Sequence, residues 1–421
     1  MAVETKLPDD FSGKTLKLNS PTGLSPLQVS CALVELEWNI NVFVQITWPS
    51  AREHEIYAAR TKEFEDTIKL VREDFPEIIP NHSQVKRVFE RYFEDGCFEN
   101  AQKLAEKYNK VIASWVKINR GTEHFCHLSK RECSSQLAEH VLKQVYRMSV
   151  PDPSVLNQYA SFSSETYGET NFKQMEVILN ELAKQGKWKK DEVFVDLGSG
   201  IGSIVMQAAA CCQSLKCAIG IEIQENPNKI AATAMKKFEY LMGWYGKKYC
   251  PIDLYDGSFM DQPHKWRNVK NNKNDADFDW RREATVIFVN NYAFSEDLNL
   301  KLKRAFGEMN EGTKIISTKE FCPVDFKIND RNAGNDIGSI MRVSEMCSVR
   351  DGFSWTHNSV NVFLSEIDNT KLQEYYESKH QRKIKSDRSS SSSPVPSSLD
   401  PLKHKKTLKV GSLFQLHQFN F

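Results

Sequence analysis

Residues 193–202, Val-Phe-Val-Asp-Leu-Gly-Ser-Gly-Ile-Gly, constrain the fold of this chain more than any other segment. A short β-branched and aromatic run reads as a buried strand. It closes on a carboxylate, Asp196, and runs into glycines at alternate positions: Gly198, Gly200 and Gly202. The stretch from Ser203 to Gln213 is apolar and alanine-rich without a breaker, and reads as a helix. Strand, glycine turn and helix N-terminus together make the crevice in which open α/β sheets bind nucleotides. Without a ligand, the same corner is a plain strand–turn–helix junction.

The spacing narrows the ligand. A phosphate-binding P-loop needs a Lys-Ser or Lys-Thr after its last glycine, and none follows Gly202. A dinucleotide fingerprint places two residues between its last two glycines, whereas here there is one. Asp196, two positions before the first glycine, would repel a pyrophosphate but suits a cationic ligand. S-adenosylmethionine carries a sulfonium and an ammonium and no phosphate. The next strand, Cys217 to Ile223, contains Glu222 near the offset of roughly 20 residues expected for a ribose-binding acid.

With 421 residues, the chain has room for two domains and tails. Its net charge of +1 argues against a uniformly basic nucleic-acid binder. The 10 cysteines include no CxxC pair, which reads as a reduced, intracellular set. The first residues are polar and acidic with no signal-peptide core, and no apolar run nears the ~20 residues of a membrane span, so no membrane partner is expected. His124, Cys126, His127, Cys133 and His140 lie close together but with irregular spacing, so they read as ordinary helix and loop residues and no metal is expected.

Three regions follow from the periodicity. Residues 1–150 read as a mainly helical domain, with stripes at Phe64, Ile68, Val71 and Phe75, at Leu104, Tyr108, Val111 and Trp115, and at Leu137, Val141 and Val145. Residues 151–376 alternate strand and helix, the mark of a doubly wound sheet. This region includes a helix from Asn226 to Trp244 and strands near 252–255, 284–289, 313–317, 340–347 and 360–366. Gln262 to Arg282 reads as a surface insertion between strands. Residues 377–421 read as a basic, serine-rich flexible tail with clusters at 380–385 and 403–406, suited to nonspecific DNA contact or nuclear import.

Two further segments flank the glycine turn. Tyr167-Gly168-Glu169-Thr170 precedes a helix start, with Thr170 as the expected cap. Phe288-Val289-Asn290-Asn291-Tyr292-Ala293-Phe294 ends the fourth strand at the sheet edge where α/β proteins bind ligands. A neutral amide pair among aromatics suits methyl transfer to nitrogen, because amides orient an amine and aromatic faces hold its charged form. In isolation, Asn290-Asn291 is also a common turn after a buried strand.

The set DLGSGIG, YGET, IFVNNYAF, WYGKK from Trp244 and RNAGNDIGSIMRV from Arg331 resembles the disruptor-of-telomeric-silencing, non-SET histone methyltransferases, which modify lysine seventy-nine of histone H3 on the nucleosome face. The resemblance runs from about Leu16 to Tyr376. It implies a class I, Rossmann-like, seven-stranded S-adenosylmethionine-dependent methyltransferase with a helical N-terminal domain. Tyr167, Gly168 and Thr170 would lie over the methionine part of the cofactor, with Asp196, Gly198 and Gly200 at its amino-acid portion. Glu222 would accept the ribose hydroxyls and Phe259 would pack near adenine. Asn290 and Phe294 would stand where cofactor meets the lysine channel, with Phe288 and Trp355 as its walls and Tyr167 beside the reacting centre. Asn290 is expected to orient the amine rather than take its proton.

The resemblance also implies a nuclear protein whose partner is the nucleosome: histone H3 as substrate, other histone surfaces, DNA through the basic tail, and ubiquitinated histone H2B. Two departures bear on activity. Ser258 stands where the family usually has an acid beside adenine, with Asp256 nearby as a substitute. Val362 stands where a tyrosine usually lines the lysine channel. These departures leave open a degenerate member that serves as a chromatin-binding module.

Overall fold

The computed structural model describes residues 15–16, 18–22, 46–47, 54–76, 78, 98–122, 125, 131–150, 169–184, 186, 188–274 and 276–390. Its N-terminal part holds a short antiparallel ladder, β1 (Thr15–Leu16) with β2 (Ile46–Thr47), and helices α1 (His54–Asp74), α2 (Phe98–Asn119) and α3 (Ser135–Ser149). Helix and strand then alternate through α4 (Phe172–Lys184), β3 (Val193–Leu197), α5 (Ser203–Cys211), β4 (Cys217–Glu222), α6 (Glu225–Tyr245) and β5 (Ile252–Asp256). After β6 (Arg267–Asn268) and α7 (Trp280–Glu283) come β7 (Val286–Val289), α8 (Glu296–Phe306) and β8 (Lys314–Ser317). The last described elements are β9 (Met341–Met346), β10 (Val362–Ile367) and α9 (Thr370–Ser390).

The main sheet has the order β6-β5-β4-β3-β7-β8-β10-β9. Strands β5, β4, β3, β7 and β8 are parallel, and β10 runs antiparallel to both of its neighbours. This is the doubly wound, Rossmann-like plan with one reversed strand. The expected seven strands are present, and the two-residue β6 adds an eighth at the edge, antiparallel to β5. Strand β3, flanked by β4 and β7, is where the chain order reverses, so the crevice opens at its C-terminal end.

Alternation along β3 feeds two cores. Phe194 packs in a cluster with Phe64, Val71, Phe75, Leu137, Val141, Val205, Phe238 and Trp244, so the N-terminal helices and one sheet face share a single apolar core. Val193, Val195 and Leu197 point into the other cluster, with Trp266, Trp280, Phe306 and Phe321. The Lys247 ammonium is buried. It pairs with Asp74 of α1 at 2.8 Å and donates to the Glu132 carbonyl at 3.0 Å, joining the helical part to the turn after α6. Breaking such a buried pair from one side costs about 3–5 kcal/mol. Burial pushes the Cys133 and Cys250 thiols up to about 12, so both are protonated at neutral pH and act as small apolar core residues. Residues 1–372 form one compact unit and 373–421 a second.

Three expectations are corrected. On α2 the buried stripe is Leu104, Tyr108 and Ile112; Val111 is exposed and Trp115 half-buried, because the apolar face rotates onto Ile112. The segment 262–282 is not a surface insertion throughout: Trp266, Phe278 and Trp280 are buried in the second core. Residues 377–390, read as the start of a flexible tail, continue α9, since no glycine or proline interrupts the chain between 370 and 390. The basic cluster at 403–406 lies outside the described residues.

Candidate functional site

The glycine turn folds as its residue types demand. Gly198, Gly200 and Gly202 have φ of 90°, 55° and 82°, all in the left-handed region that costs an L-residue about 1–2 kcal/mol. At Gly202 a Cβ would also stand 2.9 Å from Leu254 Cδ1, so the turn packs directly on β5. The Gly198 amide donates to the Ile221 carbonyl at 2.9 Å, which pins the turn to β4.

At the C-terminal ends of β3, β4 and β7 lies a cavity of about 290 Å³. Thr170, Asp196, Gly198, Gly200, Glu222, Phe259, Phe288, Asn290 and Phe294 all line it. Seven of these nine positions lie in or just after the strand ends brought together by the parallel register, in which Leu197 pairs with Ile221 and Val289. Tyr167 and Gly168 lie outside the described residues. Trp355 does not line the cavity. It is partly exposed and packs against Tyr292, with ring centroids 5.6 Å apart, and against Phe353, at 4.9 Å.

Two carboxylates set the electrostatics. Asp196 is 2% exposed, and no protein donor reaches it among the described residues. Burial, then the neighbouring Glu222 charge, raises its pKa well above the ordinary carboxylate value. Glu222 accepts from the Gly200 amide at 2.9 Å and the Gln224 amide at 2.7 Å. Burial raises its pKa too, and those amide bonds oppose the rise. A carboxylate has about four lone-pair sites, so Glu222 retains acceptor capacity beyond these amides, the requirement for gripping a vicinal diol. A cation beside Asp196 would relieve both raised pKa values.

Thr170 adds a second sign of a ligand site: its hydroxyl is buried in the cavity wall without a hydrogen-bond partner. It is not the cap of α4, as the sequence suggests. Asn171 takes that role, its Oδ1 accepting from the Gln174 amide at 2.9 Å. Thr170 bridges to Phe353 instead, and the Glu169 amide donates to Ser354 Oγ at 2.9 Å, so the 169–170 loop is tied to the loop carrying Trp355.

Also in the cavity lining, Phe259 and Phe294 stack with centroids 6.0 Å apart and an interplanar angle of 24°. Phe294 therefore belongs to an aromatic pair with Phe259. Ser258 lines the cavity, but Asp256 does not stand in for the missing acid: it pairs with Arg267 and accepts from Asn228 at 3.0 Å. The segment after β5 braces this loop. Trp266 Nε1 donates to the Ser258 carbonyl at 2.7 Å, and Trp280 Nε1 and Arg281 each donate to the Phe259 carbonyl at 2.9 Å. Sequence reasoning missed this brace, although two tryptophans in a stretch taken for polar surface were the available signal.

Asn290 and Asn291 divide their work. Asn291 is buried: its Oδ1 accepts from the Thr318 and Lys319 amides at 3.1 and 2.8 Å, and its Nδ2 donates to Asn299 and to the Lys319 carbonyl. It holds the sheet end together. Asn290 lines the cavity, and its Oδ1 accepts from the Thr318 hydroxyl at 3.0 Å, which fixes the orientation of the amide. Thr318, one residue past β8, was also missed; it follows from the register pairing Val289 with Ser317. Val362 is 1% exposed and belongs to the first core rather than to the cavity lining.

This topology, with a carboxylate at the end of each of two adjacent strands and a glycine turn between them, defines a class I methyltransferase fold. Residues 146–367 match the family model described as "Histone methylation protein DOT1", and the chain belongs to that family. It is similar to proteins named "Histone-lysine N-methyltransferase, H3 lysine-79 specific". The Drosophila melanogaster protein is 34% identical over 312 residues, covering 74% of this chain and 16% of the relative. The Caenorhabditis elegans protein is 33% identical over 294 residues, covering 68% and 29%. The Emericella nidulans protein is 27% identical over 361 residues, covering 80% and 66%. The chain thus spans under a third of the length of the first two.

Proposed function

We propose that the chain is an S-adenosylmethionine-dependent protein-lysine N-methyltransferase that modifies lysine seventy-nine of histone H3 on the nucleosome and works in the nucleus. One observation carries the cofactor half: Asp196, a buried carboxylate with no protein donor among the described residues, lies in one cavity with Glu222 and the unpartnered Thr170 hydroxyl. That donor set fits the ammonium, ribose and carboxylate groups of S-adenosylmethionine. When bound, the cofactor supplies an electrophilic methyl on a cationic sulfur.

The chain's residues then have distinct tasks. Asp196 neutralises the ammonium, Glu222 accepts from the ribose hydroxyls, Gly198 and Gly200 bring backbone close to the ligand, and Phe259 with Phe294 encloses adenine. Phe288 forms part of the cavity lining beneath the reacting end. Asn290, held by Thr318, orients the incoming amine; an amide is too weak a base to deprotonate it. Lysine, with an ordinary pKa of about 10.4, must lose its proton, and an apolar channel favours the neutral form. Tyr292, two residues after Asn290, and Trp355, which packs against it, are exposed aromatics that suit the mouth of that channel. Tyr167 and Gly168 complete the cofactor loop in this reading.

Residues 1–150 act as the helical support, 151–376 as the catalytic region, and 377–421 as a basic extension toward nucleosomal DNA. Titration with S-adenosylmethionine tests the cofactor half: saturable binding supports it, and no binding at millimolar cofactor overturns it. Ubiquitinated histone H2B as a stimulating partner is tested by comparing modified and unmodified nucleosomes. A second reading, a chromatin-binding module with little turnover, is favoured by Val362, whose buried aliphatic side chain offers neither ring nor hydroxyl to a channel. Cofactor binding without turnover on any nucleosome would favour it.

A further inference from the structure

Helix α2 carries a charged face that the methyl-transfer site does not use. Lys103, Lys107, Lys110 and Lys117 recur at helical spacing and are all exposed. At 3.6 residues per turn they fall within an arc of roughly 80° and span about 21 Å along the axis. Ser114 completes the stripe. Lys103, Lys110 and Lys117 have no acidic partner among the described residues. Glu106, at the border of the stripe, accepts from Gln102 at 3.1 Å. The opposite face, with Leu104, Tyr108 and Ile112, is buried in the core, so the stripe is held on a packed scaffold rather than on a free helix.

We infer that this face of α2 is a docking surface for the phosphate backbone of duplex DNA. The charge complementarity is linear: ammonium groups about 4.5–6 Å apart along Lys103, Lys107 and Lys110, and about 10.5 Å on to Lys117, meet a polyanion with one charge per ~1.7 Å of duplex axis, and long lysine stems adjust to its phosphates. A membrane surface fits less well. Amphipathic helices bind lipid through a free apolar face, and the apolar face of α2 is already committed to the core. Val111 and Ile118, 43% and 76% exposed beside the stripe, are too few to anchor it in lipid. This surface is sequence-independent and is formed by a different segment of the chain from the extension after residue 377.

The test compares the full chain with two quadruple variants, Lys103, Lys107, Lys110 and Lys117 all →Gln or all →Arg. Binding to a naked 30-base-pair duplex of arbitrary sequence is followed by fluorescence anisotropy from 50 to 200 mM salt. Each engaged lysine adds about 0.9 to the slope of log K against log salt. The Gln variant is therefore expected to bind at least roughly tenfold more weakly at 0.1 M salt, with a flatter slope, and the Arg variant to bind as wild type. Unfolding midpoints within a degree or two of wild type would show that the Gln variant is folded, as expected for exposed positions. Wild-type affinity and slope in the Gln variant would overturn the inference. So would a loss confined to phosphatidylserine vesicles or to DNA-free histone octamers. Naked DNA contains no substrate lysine, so this result is independent of whether the chain transfers methyl groups.

Discussion

Replacing Asp196 with asparagine should separate the stability of the ligand-free protein from its cofactor affinity and move the two in opposite directions. In the ligand-free chain, Asp196 is buried beside Glu222 with no protein donor among the described residues, and its pKa is raised. An acid whose folded pKa lies above its unfolded value of about 3.9 stabilises the fold least at high pH: stability falls as pH rises from that value through the folded one. Asp196→Asn removes this penalty, so the ligand-free variant should melt above wild type at pH 7, with the advantage disappearing below about pH 4. A cationic ammonium at 4 Å from the carboxylate is worth about 4 kcal/mol at an effective dielectric of 20. Asparagine keeps a neutral hydrogen bond, so the net loss should be about 2–3 kcal/mol, a roughly 30- to 150-fold rise in the dissociation constant for S-adenosylmethionine. Calorimetric titration and melting curves with and without cofactor measure both effects. Affinity within threefold of wild type, or a ligand-free variant less stable than wild type at pH 7, would refute the role given to this carboxylate.

Other positions carry their own expectations. Trp280→Phe removes one of the two donors to the Phe259 carbonyl, and should weaken cofactor binding by about 1 kcal/mol, or roughly fivefold, with turnover at saturating cofactor unchanged. Gly202→Ala combines a left-handed backbone with a Cβ 2.9 Å from Leu254, and should lower unfolding stability in urea by about 2–4 kcal/mol. His140, bonded to Thr67 at 3.0 Å, has its pKa lowered to about 4, mainly by burial. Its contribution is present above the unfolded value of about 6.5 and lost as pH falls toward 4, so denaturation curves across that window should show a decline of about 3 kcal/mol that His140→Gln flattens.

What the sequence reveals here follows from how local the physics is. The turn at 198–202 is legible because left-handed backbone nearly demands glycine, and Asp196 and Glu222 because strand ends place them at one sheet edge. Phe64, Ile68, Val71 and Phe75 follow from helical period alone. The misses are cases where distant residues decide. Trp266 and Trp280 are buried only because the second core and the Ser258-Phe259 carbonyls lie across from them. Thr318 matters through its pairing across two strands, and Asn171 displaces Thr170 as cap because Thr170 is drawn to Phe353. Val362, at a position the resemblance assigns to the lysine channel, instead packs in the first core. Restoring a tyrosine there would insert a ring into a packed core, at about 1–3 kcal/mol, as well as add a channel group.

The activity proposed for this cavity is transfer of a methyl group to a lysine on the nucleosome face. The most direct measurement is incubation of the chain with labelled S-adenosylmethionine and either intact nucleosomes or free histones, followed by mapping of the modified residue. Label is expected on lysine seventy-nine of H3, in nucleosomes, lost in Asp196→Asn at low cofactor concentration and recovered as the cofactor is raised. Label confined to histone tails, or no label on nucleosomes under conditions where the cofactor is shown to bind, would contradict it.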